Sequence, residues 1–138
     1  MDQKSELLQR VPLFARFSRN DLAEVGRLVD EVDVAAGREL MGQGDFAHEF
    51  FVIYDGTVRV ERDGKVLRRL GPGDFLGEIA LLDGGQRSAT ATAETACRLL
   101  VLAHREFHDL MDRFPSVRTA VLEGLAARVR HLEPDLEN

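Results

Sequence analysis

The sequence predicts a mainly β domain with helices at both ends, its strands short enough to form a small barrel or jelly roll. Apolar residues recur at helical spacing before residue 35 and again after residue 104. The stretch between them is β-rich and broken by closely spaced Asp-Gly and Gly-Pro-Gly turns. At 138 residues the chain has the length of one ordinary domain, and 44% hydrophobic residues are enough to fill a single core.

The leading zone, residues 4–34, reads as helical. Leu7, Leu8 and Val11 suggest a short helix that ends near Pro12. Ser18 followed by Asp21 resembles a capping box, with the hydroxyl accepting from an early backbone N–H. Leu22, Val25, Leu28, Val29 and Val32 then recur with helical period. The middle zone, 38–103, changes character. Phe50 to Tyr54 is a β-rich run closed by Asp55-Gly56, and Thr57 to Arg62 alternates as a half-buried strand does. Asp63-Gly64 is the strongest hairpin signal in the chain. Val66 to Leu70 runs back, Gly71-Pro72-Gly73-Asp74 turns again, and a last β pair is expected across Ser88–Thr95 and Arg98–Ala103. The third zone, 104–133, returns to helix. Glu106, Phe107, Leu110 and Met111 fit a short amphipathic segment, and Pro115 suits the first turn of the next. Val117, Val121, Leu122, Leu125, Val129 and Leu132 form the apolar stripe of a long final helix that Pro134 stops.

Several functions are disfavoured by composition. Eighteen basic residues are interleaved with 24 acidic ones, for a net charge of −6, whereas phosphate backbones reward clustered Lys and Arg. No nucleic-acid partner is expected for the chain by itself. No apolar run approaches the ~20 residues that cross a bilayer, and the polar N-terminus is no secretory signal, so no membrane partner and a cytoplasmic location are expected. The single cysteine, Cys97, excludes an internal disulfide and reads as a small buried hydrophobe. His48 stands alone in the β region, while His104, His108 and His131 belong to the helical end. A cupin-like metalloenzyme, the alternative that a small barrel raises, needs paired histidines on neighbouring strands. No Ser-His-Asp order, P-loop or activated cysteine can be assembled, so neither an enzyme nor a cofactor or metal is expected.

The segment from Asp74 to Ala91 is odd as plain barrel sequence. Glu78 to Leu82 reads as one turn of helix where a crossover would suffice. Gly77 before it allows close approach to the first free N–H groups, which favour an anion. Arg87 adds a planar fork of donors suited to phosphate oxygens. Glu78 beside a phosphate would repel it unless it faced another part of the ligand, such as a ribose hydroxyl. A ligand with one phosphate charge and a free 2′-hydroxyl would satisfy both side chains.

Phe75-Leu76-Gly77-Glu78-Ile79-Ala80-Leu81 followed by Arg87-Ser88-Ala89 resembles the phosphate-binding cassette of the cyclic-nucleotide-binding domain family. Its members include the cAMP receptor protein, kinase regulatory subunits and cyclic-nucleotide-gated channels. The resemblance implies one domain over 1–138: a β-roll, or double-stranded β-helix, with leading helices and two closing ones. It implies a sensor of cAMP, with cGMP as the alternative, in which Glu78 accepts from the ribose 2′-hydroxyl and Gly77 sits at the ribose edge. Amides of Ile79 and Ala80 would face the phosphate, and Arg87 would pair with it, assisted by Ser88 and the Ala89 amide. Val60 and Leu70 would pack on the base, and Arg128 or Arg130 would cap it. A threonine after the cassette arginine marks cGMP preference in the family; Ser88 stands there, which favours cAMP. The final helix would move over the ligand or pair with its twin in a homodimer, and a downstream protein partner would read the change. A ligand-independent interaction module of the same fold is the other reading.

Overall fold

The computed structural model describes residues 3–11, 14–46, 49–77, 87, 89–123 and 126. Helices α1 (Gln3–Gln9) and α2 (Arg19–Leu28) lead the chain. Helix α2 starts where the sequence predicts. Ser18 is extended, and its Oγ accepts from the Asp21 N–H at 3.1 Å, satisfying one of the orphan donors of the first turn.

The helical reading of 4–34 runs too far. The Val29 N–H closes the last helical bond onto the Val25 carbonyl at 3.1 Å, and Asp30–Val34 is strand β1. Val32 therefore leaves the helical stripe and is 38% exposed. Two β-branched valines alternate here with acids, and pairing with residues 97–101 supplies the backbone hydrogen bonds that a further helical turn would have supplied.

Seven further strands follow among the described residues: β2 (Glu39–Met41), β3 (Glu49–Asp55), β4 (Val58–Arg62), β5 (Lys65–Leu70), β6 (Phe75–Leu76), β7 (Thr90–Ala93) and β8 (Cys97–Ala103). They form two four-stranded antiparallel sheets, ordered β1-β8-β3-β6 and β2-β7-β4-β5. The chain passes back and forth between the sheets, as the β-roll expectation requires. Strands β4 and β5 form the predicted hairpin around Asp63-Gly64. The expected last β pair is corrected. Both strands exist, but β7 pairs with β2 and β4, whereas β8 pairs with β1 and β3. A turn signal says that the chain reverses; it does not say that the two strands share a ladder.

Two apolar cores share β3 and β8. Phe50, Val52, Leu100 and Leu102 face the helices and meet Leu8, Phe14, Leu22 and Phe107. Phe51, Ile53, Leu99 and Val101 face the other sheet and meet Val58, Val60, Leu70 and Ala91. A strand buried on both faces has no polar side to show, which explains the unbroken apolar runs. Strand β4 covers only the inner core and alternates instead, buried at Val58 and Val60.

Helix α3 (His104–Arg113) packs Phe107 on Phe50, ring centroids 4.6 Å apart. Helix α4 opens at Pro115 and runs over residues 115–123, with Val117 and Val121 buried. Leu122 departs from the predicted stripe and is 55% exposed. At 3.6 residues per turn it points about 140° away from Val117. Leu125, Val129, Leu132, Pro134, Arg128 and Arg130 lie outside the described residues. No described helix is long and apolar enough to cross a membrane.

Candidate functional site: an arginine seated on backbone carbonyls

Arg87 precedes β7 and is 5% exposed, one of few buried polar residues among those described. Its backbone is fixed from both sides. The Arg87 N–H donates to the Asp45 carbonyl at 2.7 Å, and its own carbonyl accepts from the Gly44 N–H at 2.9 Å. The guanidinium is held too: Nη1 donates to the Gly77 carbonyl at 2.7 Å, and Nη2 donates to the Glu49 carbonyl. Both acceptors are dipoles and neither carries a net charge. Burial pushes the arginine pKa down from its ordinary value, and the charge of Glu49 acts more weakly in the opposite direction. Among the described residues no ion pair within 4.0 Å reaches this side chain. A cation oriented by carbonyls and short of full neutralisation is a ready seat for an anion.

Gly77 makes this seat possible. Its φ of +95° lies in the region that side-chain-bearing residues avoid. A Cβ there would stand 2.6 Å from Arg87 Nη1 and 2.9 Å from the Glu49 carbonyl oxygen. The glycine is needed both for the turn and for the room it leaves to the guanidinium.

Around the seat, Gln43 ties the β2–β3 connection to the rest of the roll. Its N–H donates to Thr90 Oγ1 at 2.9 Å, its Nε2 to Asp63 Oδ1 at 3.0 Å, and its Oε1 accepts from the Asp63 N–H at 3.1 Å. The hairpin tip and the loop that carries the Arg87 backbone partners are thus cross-linked by one amide side chain.

The structure brings the predicted Gly77 and Arg87 into direct contact and buries Ala89 beside Ala91 in the inner core. Glu78, Ile79, Ala80 and Ser88 lie outside the described residues, as does the expected helical turn at 78–82. Val60 and Leu70 line the same inner core. Two features escaped the sequence reading. Backbone acceptors such as the Glu49 and Gly77 carbonyls leave no mark in residue type. Arg68 did leave one: it occupies an inward position on β5, directly opposite Val60. His48 and His131 lie outside the described residues, and those described contain no cluster that could hold a metal ion.

Fold and seat define a β-roll domain that carries a buried arginine held by backbone carbonyls. The sequence model of the cyclic nucleotide-binding domain matches residues 31–114, more than half of the chain, and the chain belongs to that family. The family is regulatory, not catalytic. The cyclic AMP receptor protein of Thermus thermophilus is 35% identical over 127 residues, covering 81% of this chain and 58% of the relative. A cGMP-dependent protein kinase of Drosophila melanogaster is 36% identical over 124 residues, covering 86% of this chain and 11% of the kinase. The crystal structure of the Thermus thermophilus catabolite activator protein superposes with a TM-score of 0.82 at 30% identity, covering 91% of this chain and 62% of that one. The chain thus spans between about a tenth and somewhat over half of these relatives.

Proposed function

We propose that the chain is a cyclic-nucleotide sensor in which Arg87 receives the cyclic phosphate. The observation that carries this reading is the buried guanidinium, held by the Gly77 and Glu49 carbonyls. Glu78 takes the ribose 2′-hydroxyl, amides of Ile79 and Ala80 face the phosphate, and Ser88 with the Ala89 amide completes its shell. On the phosphate side, Ser88 favours cAMP over cGMP. Val60 and Leu70, on the inner face of the β4–β5 hairpin, pack on the base.

Binding shifts an equilibrium only by its differential affinity for two states. The differential contacts lie between the cassette and the final helix, which closes over the ligand or pairs with its twin in a homodimer. A downstream partner protein reads that movement in the cytoplasm, and the domain itself performs no catalysis and binds no nucleic acid. Calorimetric titration with cAMP and with cGMP, repeated on Arg87→Ala, tests the reading. Loss of charge-assisted bonds of about 1.5–3 kcal/mol predicts affinity lower by roughly 10- to 150-fold. Equal affinity in the variant and the parent would overturn the role of Arg87.

A further inference from the structure

Residues 42–45 form a tight turn after β2, closed by the Asp45 N–H on the Gly42 carbonyl at 3.1 Å. The Gly44 N–H and the Asp45 carbonyl of this turn are the two groups that fix the Arg87 backbone. None of residues 42–46 is buried, and Phe46 is 66% exposed, so core packing does not hold the turn in place. Hydrogen bonds do. At the corner, the Gln43 N–H donates to Thr90 Oγ1 at the start of β7, three residues beyond Arg87.

The Gln43 side chain reaches a different element. Its amide meets Asp63 twice, donating from Nε2 to Oδ1 at 3.0 Å and accepting the Asp63 N–H on Oε1 at 3.1 Å. Asp63 is the first corner residue of the β4–β5 hairpin, at φ +53°, between the ladder partners Arg62 and Lys65. In so short a turn the N–H of that residue has no place in the ladder, and Gln43 satisfies it. Two bonds between one amide and one residue fix direction as well as distance.

This clip joins two parts of the roll. On one side is the arginine seat, whose backbone hangs on the 42–45 turn; on the other is the hairpin that carries Val60 and Leu70 on its inner face. Resting on the cyclic-nucleotide reading of the site, we infer that Gln43 is a positioning residue. It sets the distance between the wall that packs on the base and the arginine that receives the phosphate. It acts through Asp63, Thr90 and the backbone partners of Arg87, and its N–H and both polar atoms of its side chain are engaged by protein. A ligand spanning both ends binds at full strength only where that distance is set beforehand. A turn free to swing lowers the apparent affinity by the fraction of time it is out of place.

The test is calorimetric titration with cAMP and with cGMP of the parent, Gln43→Ala, Gln43→Glu, Asp63→Asn and the double variant Gln43→Glu/Asp63→Asn. Gln43→Ala removes the clip and lowers affinity for both nucleotides alike by about three- to tenfold, the range of one or two hydrogen bonds. Gln43→Glu sets one carboxylate against another and loses at least as much. Asp63→Asn keeps the Oδ1 acceptor and stays within about twofold of the parent. The double variant exchanges donor and acceptor across the same gap and returns affinity to within about twofold of the parent. Thermal melting establishes that each variant is folded, and Ser18→Ala, which weakens the fold in the helical layer, sets the baseline for a purely structural loss. Parental affinity in Gln43→Ala, or a double variant no better than Gln43→Glu, overturns the positioning role while the phosphate site stands. Tighter binding by Asp63→Asn alone assigns the effects to charge and overturns the role as well. If neither nucleotide binds the parent, the sensor reading itself falls, and this inference with it.

Discussion

Gly77→Ala probes the seat of Arg87 without touching the arginine. The substitution carries two costs. A residue with a Cβ held at positive φ costs about 1–2 kcal/mol. The new methyl would also stand 2.6 Å from Arg87 Nη1, so the guanidinium must retreat by about 0.8 Å to reach ordinary contact at 3.4 Å. That retreat stretches the 2.7 Å bond to the Gly77 carbonyl to the edge of hydrogen-bonding range. A lost bond to a charged group adds roughly 1.5–3 kcal/mol, for a total near 2–4 kcal/mol after partial relaxation. At about 4 °C per kcal/mol for a chain of this size, the melting temperature should fall by roughly 8–15 °C. Gly37→Ala separates the two costs. Gly37 has nearly the same φ, +91°, yet nothing lies within 4 Å of the Cβ it would gain. Only the backbone term applies there, so its melting temperature should fall by roughly half as much and its cyclic-nucleotide affinity should stay that of the parent. Differential scanning calorimetry gives the stability difference, and isothermal titration of Gly77→Ala should show affinity reduced at least about tenfold. Equal melting shifts for the two alanines, with parental affinity in both, would refute the claim that Gly77 is there for Arg87.

Two further outcomes follow from the same structure. Ser18→Ala removes the acceptor of the Asp21 N–H and should destabilise the fold by about 1 kcal/mol in urea titration, with nucleotide affinity unchanged, because the cap belongs to the helical layer. Glu94→Gln dissolves the ion pairs of Arg59 and Arg69 on the outer face and should leave affinity within about twofold, since partly exposed pairs are weakened by solvent. A loss of affinity in Glu94→Gln as large as that in Arg87→Ala would mean that these ion pairs support the site.

The residues that made the fold legible were those with one environment each. Ser18 before a periodic run, Asp63-Gly64 between alternating runs, and Pro115 at a helix start all carry their reason in their own chemistry. Segments with divided loyalties were harder. Asp30 to Val34 continues the spacing of α2 closely enough to read as helix, and only the partner strand β8 shows that it is β1. Pairing across sheets is likewise invisible locally: nothing in residues 88–103 tells that β7 and β8 part company. Within the site, the motif named Gly77 and Arg87 but not why they belong together. The physical reason is a distance, 2.6 Å from a side-chain nitrogen to an atom that glycine lacks. Arg68 was legible in principle, as a charged residue at an inward β5 position, and needed only the register with Val60 to be noticed.

One strand reaches both ends of this arrangement. The carbonyl that receives Nη2 of Arg87 belongs to Glu49, and the ring that stacks on Phe107 belongs to Phe50, the next residue along β3. The guanidinium thus rests on a peptide plane whose other edge carries an aromatic wedge against α3. In the proposed sensor, one peptide plane therefore separates the anion seat from the wall formed by α3.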